Sequence, residues 1–167
     1  TLRNTILYFN TSGLFGPNYH DDAPGGVYRC CCTIPAVGTG CVTNDPRFIN
    51  RPAENYRIGY GSPCIDRGTN LLAGGVTNDI LGAPRPVDGN MDGTNAFDIG
   101  AYEYDPATYD TDSDWLTDSN ELFVYQTSPT NRDTDADQMT DGEEVVAETS
   151  PTNPASYFVV RQLSNAP

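Results

Sequence analysis

Two acidic runs near the C-terminus repeat one pattern of carboxylates twenty-three residues apart. The first run, DTDSDWLTDSNE, begins at Asp110, and the second, DTDADQMTDGEE, begins at Asp133. Counted from its first aspartate, each run has acidic residues at positions one, three, five, nine and twelve, and an apolar residue at position seven. This spacing is typical of a calcium loop, in which the backbone carbonyl of position seven is also a ligand. A disordered acidic linker is the alternative, but such a linker has no reason to repeat its register.

The pattern predicts two calcium sites. Crowded carboxylates repel one another by several kcal/mol at an effective dielectric constant of about 20, and a bound dication removes that cost. Ca²⁺ accepts roughly six to eight oxygens in flexible geometry, which suits such a loop better than the strict octahedron of Mg²⁺. The predicted ligands are Asp110, Asp112, Asp114, the carbonyl of Leu116, Asp118 and Glu121 in the first run, and Asp133, Asp135, Asp137, the carbonyl of Met139, Asp141 and Glu144 in the second.

Position six of a calcium loop is usually glycine, because the chain turns sharply there. Trp115 and Gln138 occupy it in this chain, which predicts a strained turn in each loop. Each loop continues into a short helical pattern, at residues 119–126 and 142–148, while no helical pattern precedes it. We expect the apolar residues of these helices to form a small shared core, made of Leu122, Phe123, Val145 and Val146.

With these acidic positions, residues 110–156 resemble the thrombospondin type 3-like calcium repeats, also called type 3 dockerin-like repeats, of secreted bacterial proteins. The resemblance implies that all ten acidic positions bind calcium, at two sites. The replaced glycines depart from the pattern of the family, and this departure concerns the geometry and affinity of the loops rather than the identity of the ion.

The charge of the chain is strongly negative and uneven. The formal net charge is −14, with nine arginines and no lysine. Up to Ala107 there are eleven acidic residues against seven arginines, and from Thr108 onward twelve against two. Such acidity argues against nucleic acid as a partner, because phosphates are bound by Lys and Arg. No apolar run approaches the roughly 20 residues of a membrane span.

Five cysteines in a chain rich in Gly and Pro indicate a secreted or cell-surface protein whose leader has been removed. Cys30, Cys31 and Cys32 are consecutive, so at most two bridges form within the chain and one thiol is left over. We expect Cys41 and Cys64 each to pair with one cysteine of the triplet, although the sequence does not say which. Zinc binding is the alternative, disfavoured because adjacent residues of a strand point to opposite sides.

The first hundred residues contain short segments rich in β-branched and aromatic residues, each bounded by Gly, Pro, Asn or Asp. Segments this short fit either a β-sandwich or a parallel β-helix, and the pattern alone does not distinguish them. The segments lie at residues 4–10, 26–33, 47–50, 56–60, 63–68 and 98–104.

Three motifs in this region resemble the closing coils of right-handed parallel β-helix proteins of the choice-of-anchor Q type. They are NDPRFIN, GSPCIDRGTN and LGAPRPVDGNMDGTNAFDIGAYEY, in the order of that family, and the resemblance covers residues 4–104. It implies a mainly β fold, with a short right-handed parallel β-helix followed by a small calcium-loop and helix module. The implied domains are residues 1–107 for the β-helix coils, 108–156 for the two calcium-binding repeats and 157–167 for a C-terminal strand or tail.

The ends of a β-helix expose unpaired backbone groups, and neither end has a cap in this sequence. We therefore expect other copies of the chain to bind head-to-tail through the end segments, residues 1–10 and 157–163, as in a subunit of an extracellular fibre or surface layer. The alternative is that the sequence is the tail fragment of a long adhesin-like protein. In either case the predicted role is structural and the predicted location extracellular.

A polysaccharide-binding or polysaccharide-degrading module is the competing interpretation. We expect no enzyme, because the chain has no lysine to act as a base and its single histidine, His20, lies near no nucleophile motif. Sugar binding through exposed Tyr56, Tyr60 or Trp115 stays open. A sequon at Asn10 permits a glycan.

Two further acidic groups have both a structural and a functional interpretation. The run from Asp88 to Gly93 begins like a calcium loop but stops halfway, which favours a tight acidic turn held by an arginine such as Arg85 over a third ion. The second group consists of Asp66, Asp98 and Glu103. These carboxylates either pair with arginines such as Arg67 or cap turns, or they form a catalytic carboxylate pair.

Overall fold

The computed structural model describes residues 1–9, 26–36 and 38–157, and the chain divides into two units, Thr1–Asp105 and Pro106–Pro167. The sequon at Asn10, His20 and all of the predicted C-terminal strand except Tyr157 lie outside the described residues. The strands are β1 Leu2–Arg3, β2 Ile6–Leu7, β3 Tyr28–Arg29, β4 Cys32–Thr33, β5 Phe48–Asn50 and β6 Asn55–Ile58. Short 3-10 helices lie at Arg51–Ala53 and Leu72–Gly74. The second unit contains α1 Asp118–Asn120, which continues into a π-helical turn at Glu121–Tyr125, and α2 Asp141–Ala147.

The strands of the first unit form three separate two-stranded sheets. β1 pairs with β3 and β2 pairs with β4, both parallel, while β5 and β6 form an antiparallel pair. No stack of β-helix coils is present among the described residues, so the prediction of a mainly β, right-handed parallel β-helix is wrong. The predicted head-to-tail assembly of copies was argued from the open ends of such a helix. It stays a prediction, but the β-helix no longer supports it.

Turns replace strands in the segments at residues 63–68 and 98–104, because aspartate side chains accept the backbone N–H groups that a sheet would use. Asp98 Oδ1 accepts the N–H of Asp66 at 2.8 Å, and its Oδ2 accepts the N–H of Tyr104 at 2.6 Å. Asp66 Oδ2 in turn accepts the N–H of Asn90 at 2.7 Å. A pattern of β-branched and aromatic residues does not reveal this competition between side chain and sheet.

The core of the first unit is small and includes a buried ion pair. Its buried apolar residues are Cys31, Cys32, Ile58, Cys64, Ile65, Phe97, Ile99 and Tyr104. Gly68 packs against this core so closely that a Cβ atom would lie 2.6 Å from the carbonyl oxygen of Phe97. Because the unit buries few apolar side chains, hydrogen bonds in its turns contribute much of its stability.

Arg85 and Glu103 form the buried ion pair, with Arg85 Nε 2.8 Å from Glu103 Oε2. The contact is ionic rather than a well-aligned hydrogen bond, since Nε has no hydrogen-bond partner. Glu103 Oε1 accepts the N–H of Val87 at 3.0 Å, and Arg85 Nη2 donates to the carbonyl of Asp98 at 3.0 Å. Burial raises the pKa of Asp98 to about 8. These hydrogen bonds favour the structural interpretation of the carboxylates. The arginine that pairs with Glu103 is Arg85, whereas the sequence suggested Arg67.

The run after Asp88 forms the predicted tight acidic turn. Asp88 Oδ1 accepts the N–H of Asp92 at 3.0 Å, and its Oδ2 accepts the N–H of Gly93 at 2.7 Å. The turn is held by these bonds to its own backbone, whereas Arg85, the predicted partner, is paired with Glu103.

The second unit buries carboxylates where the sequence predicts apolar side chains. Phe123 is 69% exposed and Val146 is 78% exposed, so the predicted shared core is wrong for both residues. Apart from Gly142, the buried residues of the helical segments are instead acidic and spaced three apart, which places each pair on one helical face. They are Asp118 and Glu121 in the first helix and Asp141 and Glu144 in the second, each 0% exposed.

Four of the five cysteines lie in neighbouring pairs. The parallel bridge between Cys32 and Val42 places Cys31 beside Cys41, whose sulfur accepts the Cys31 N–H at 3.3 Å. The second pair is Cys32 and Cys64, where the hydrogen bond between the two thiols, reinforced by burial, raises the pKa of Cys64. All five thiols are free in the structure.

We expect oxidation of the folded protein by a disulfide reagent such as oxidised glutathione to form two bridges, Cys31–Cys41 and Cys32–Cys64. Thiol–disulfide exchange transfers the two electrons of each new bond to the reagent, and neighbouring thiols exchange first because closure needs little backbone movement. The readout is mass spectrometry with fragmentation under non-reducing conditions. The Cys30→Ser variant is expected to keep both bridges, while Cys41→Ser is expected to lose one. Finding Cys30 in a bridge within the wild-type chain would contradict this pairing.

Candidate metal centre

Each acidic run folds around the carboxylate of its first aspartate. Asp110 Oδ1 accepts the N–H of Ser113 at 2.7 Å, and Asp110 Oδ2 accepts the N–H of Trp115 at 3.0 Å. Asp133 does the same in the second run, where its Oδ2 accepts the N–H of Gln138 at 2.9 Å. The two loops therefore have the same backbone turn, as the repeated sequence predicts.

Position five of each loop is also tied to the backbone. Asp114 Oδ1 accepts the N–H of Leu116, and Asp137 Oδ1 accepts the N–H of Met139, both at 2.9 Å. These bonds place the residue at position seven directly after the turn, with its side chain buried in the case of Leu116.

Position six has the backbone that its usual glycine would adopt. The φ angle is 85° at Trp115 and 87° at Gln138, in the left-handed region where a Cβ atom is unfavourable. The strained turn predicted from the missing glycines is thus confirmed. Trp115 is 75% exposed, so its indole contributes little packing to offset the strain.

The loops bring carboxylates together in three clusters that could hold a metal ion. Within each cluster, one oxygen from every residue lies within 4.8 Å of the others. Each loop contains one of these clusters, and the third cluster combines residues of both runs. The clusters are Asp110, Asp112 and Asp114 in the first loop, Asp133, Asp135 and Asp137 in the second, and Asp114, Glu121 and Asp141 across the two runs.

The aspartate at position nine is hydrogen-bonded to the residue at position two of its own loop, and its predicted role as a ligand stays a prediction. Asp118 Oδ1 accepts the N–H of Thr111 at 2.8 Å and its Oδ2 accepts the Thr111 hydroxyl at 2.6 Å, so it clamps position two of its own loop. Asp141 clamps Thr134 in the same way, at 2.8 and 2.7 Å. Asp141 is nevertheless in a cluster with residues of the first loop, and not with those of the second.

Position twelve differs between the two loops. Glu121 joins Asp114 and Asp141 in the cross-run cluster, whereas Glu144 belongs to none of the clusters found among the described residues. Both glutamates are fully buried, and each has a threonine hydroxyl near its Oε1, from Thr127 at 3.5 Å and from Thr149 at 3.4 Å.

Several carboxylate oxygens of this region are buried without a hydrogen-bond partner. A buried polar atom without a partner costs about 1–3 kcal/mol, and a charged one more. A cation is the group that satisfies several such atoms at once. The buried oxygens without a partner are Oδ1 and Oδ2 of Asp112, Oε2 of Glu121, Oδ2 of Asp135, Oδ2 of Asp137 and Oε2 of Glu144.

Burial also shifts the protonation equilibria of these groups. It raises the pKa of Asp112 to about 7 and that of Glu121 to about 9, and the neighbouring carboxylates add to both shifts. The pKa of Glu144 is raised to about 7 for the same reasons. The region has little positive charge of its own to compensate, since Arg132 and Arg161 are its only basic residues in the sequence.

Sequence reasoning missed two features of this centre. The threonine clamps have a signal in the sequence, because threonine recurs at position two of both runs. Gly142 has no such signal, yet a Cβ atom there would overlap the carbonyl oxygen of Asp114. The close approach of the second run to the first thus depends on a glycine that occurs in one run only.

Comparison of the chain with protein-family models, curated proteins and solved structures finds no match. Across the described residues, no helix is both long enough and apolar enough to cross a membrane. The two resemblances stated from the sequence therefore have no support from these comparisons, and the acidic clusters are the feature on which a functional proposal depends.

We expect the substitution Gln138→Gly to stabilise the protein. Glycine removes a left-handed penalty of about 1–2 kcal/mol, from which about 0.4–1 kcal/mol is lost to the greater freedom of the unfolded chain. The net increase in the free energy of unfolding is expected near 0.5–1 kcal/mol by urea denaturation. The control is Ala155→Gly, at an exposed residue outside the left-handed region, where the entropy loss alone acts. A lower stability of Gln138→Gly than of the wild type would contradict this account of position six.

Proposed function

We propose that this chain is a non-catalytic, calcium-stabilised structural module of an extracellular or cell-surface protein, with one calcium ion in each acidic run. The observation that carries the proposal is the set of buried carboxylate oxygens that have no hydrogen-bond partner, which occur in both runs. A folded state that buries charges in this way needs an external cation to become stable.

Calcium fits these clusters better than other common cations. The donors are all oxygens, which favours Ca²⁺ and Mg²⁺ over zinc or copper. Loops made of turns and carboxylates suit the flexible coordination of Ca²⁺, whereas Mg²⁺ demands a near-ideal octahedron and keeps several of its waters. Extracellular calcium modules typically bind at about 10⁻⁴–10⁻³ M, which agrees with the predicted location outside the cell.

The proposed role of the ion is to hold the second unit in one conformation. An ion that binds only the folded form adds about 2.7 kcal/mol when its free concentration is a hundredfold above the dissociation constant. The small number of buried apolar residues in this unit makes such a contribution a large part of its stability. Assembly of copies into a fibre or surface layer, predicted from the sequence, is a further part of the proposal.

We expect a chelator to lower the melting temperature of the protein markedly, calcium to restore it, and magnesium to fail. The matched variant is Asp112→Asn, because both carboxylate oxygens of this half-buried residue are themselves buried and lack a hydrogen-bond partner. Loss of its charge relieves repulsion in the apo form, so the apo variant is expected to melt no lower than the apo wild type. It is also expected to lose much of the calcium-dependent increase, measured by calorimetry.

The exposed carboxylate of Glu148 supplies the control for this experiment. Glu148→Gln removes the same charge outside the clusters and is expected to keep the calcium response. Equal melting of the wild type with and without chelator would refute the calcium proposal. A full calcium response in Asp112→Asn would refute the assignment of its carboxylate as a ligand.

Polysaccharide binding is a second candidate function, favoured by an aromatic cleft in the first unit. The cleft has a volume of about 460 Å³ and is lined by residues that include Tyr8, Phe48, Tyr56 and Arg51. Clefts of this size, lined by aromatic residues with a few polar groups, are typical of small-ligand sites. Arg51 provides a positive charge at this cleft, where its guanidinium lies 3.9 Å from the ring centroid of Phe9.

If this cleft binds acidic glycans, Tyr56→Ala and Arg51→Gln are both expected to weaken binding in a glycan array or by calorimetry. Tyr157→Ala is the control, since it removes an exposed tyrosine that does not line the cleft. Binding that the two cleft variants leave unchanged, or no binding by the wild type, would argue against this candidate.

A further inference from the structure

We propose that Asp141, which belongs to the second acidic run, is a ligand of the cation bound by the first run, so that this cation joins the two repeats. The inference rests on the proposed function and names a ligand that the repeat pattern assigns to the other site. The ligand class is a hard divalent cation such as Ca²⁺, because all the donors are carboxylate oxygens.

The first observation is geometric. Asp114, Glu121 and Asp141 each place one carboxylate oxygen within 4.8 Å of the other two. Asp114 is 1% exposed, and the other two residues are 0% exposed. Three carboxylates this close repel one another strongly away from solvent, and a dication among them converts that repulsion into attraction.

The second observation concerns the hydrogen bonds of Glu121. Its Oε2 is buried without a partner, and its Oε1 has only the 3.5 Å contact from the Thr127 hydroxyl. A fully buried carboxylate with an unused oxygen is expected to bind a proton or a cation. Its neighbours in the cluster are two further carboxylates, which makes this place suited to a cation.

The third observation is that the second run is built to reach the first. Gly142 N–H donates to Asp114 Oδ2 at 3.2 Å, and the absence of a Cβ on Gly142 lets the start of α2 lie against the backbone of Asp114. Asp141, the residue before it, is held by the two hydrogen bonds from Thr134. Each of its oxygens accepts one bond there and keeps a second lone pair for a metal.

The arrangement makes the two sites unequal. Occupancy of the first site requires that the second run be folded, because Asp141 is positioned by Thr134 within that run. The cation of the first site in turn holds the start of α2 in place, so that binding in the two runs is coupled by linkage.

The test uses Tb³⁺ as the probe cation and Trp115 as its antenna. Trp115 is the only tryptophan of the chain and directly follows Asp114, so sensitised Tb³⁺ emission reports on the ion of the first loop. For Asp141→Asn we expect the affinity seen by sensitised emission to fall by about tenfold or more. Emission lifetimes in H₂O and D₂O are expected to show about one additional water on the bound ion, in place of the lost carboxylate.

Glu143→Gln is the matched control, because Glu143 lies on the same helix, belongs to none of the carboxylate clusters, and glutamine keeps the bond that its side chain accepts from the N–H of Thr140. It is expected to leave the sensitised affinity and the hydration of the first site within about twofold of the wild type, well short of the tenfold effect of losing a ligand. An unchanged affinity and hydration in Asp141→Asn would overturn the inference. Equal weakening by both variants would also overturn it, since that result shows a general loss of the second run.

Gly142→Ala provides a second variant that keeps every carboxylate. Its methyl group displaces α2 from Asp114, so we expect weaker sensitised binding with normal helix content by circular dichroism. A folded Gly142→Ala variant with wild-type affinity would overturn the inference even if Asp141→Asn fails to fold. Absence of sensitised emission from the wild type would overturn the proposed calcium function together with it, whereas emission that is insensitive to Asp141 would overturn the shared ligand alone.

Discussion

The stability of the second unit depends on how the mutual repulsion of its buried carboxylates is compensated, because acidic side chains occupy the places where a small module would normally bury apolar ones. Asp118, Glu121, Asp141 and Glu144 are fully buried, while Phe123 and Val146 face solvent. Hydrophobic burial therefore contributes little to this unit, and the turns of its loops are held by backbone N–H groups that donate to aspartate carboxylates. A structure of this kind is stable only when the charge inside it is compensated. The proposed calcium ions supply this compensation, and for that reason they would also hold the unit rigid.

The first unit shows the other way in which a protein satisfies buried carboxylates. Glu103 is paired with Arg85 and accepts the N–H of Val87, and Asp98 uses both oxygens to accept backbone N–H groups. These carboxylates are satisfied by the chain itself. Among the described residues, the first unit has one buried carboxylate oxygen without a hydrogen-bond partner, Asp66 Oδ1, whereas the second unit has six, including both oxygens of Asp112. The difference between the units supports an external cation in the second one and gives no reason to expect one at Asp98.

The sequence predicted the features that depend on local spacing and failed on those that depend on packing. The repeated turn around Asp110 and Asp133 and the left-handed backbone at Trp115 follow from positions within one loop, and both are present. The parallel β-helix was wrong because β-branched and aromatic residues indicate strands only where the backbone N–H groups are free to pair, and Asp98 accepts two of them. The position of Asp141 beside the first run could not be predicted from the sequence either, since the approach of α2 to Asp114 depends on the single glycine at 142.

The proposed sites are unequal although the sequence repeats, because the first site takes a ligand from a later part of the chain and the second does not. Ser156 Oγ accepts the N–H of Ser150 at 2.9 Å, just as Thr134 Oγ1 accepts the N–H of Ser128 at 3.1 Å, so the register continues beyond the second run. Ala155, however, stands where Asp133 begins the run, and no aspartate comes after it at the next positions described. Among the described residues no carboxylate follows Ala155 that could play for the second site the part proposed for Asp141 at the first, and Glu144 is buried with an oxygen that has no hydrogen-bond partner. Under the proposal, the cation of the first site joins the two repeats, whereas the cation of the second site is held by its own run.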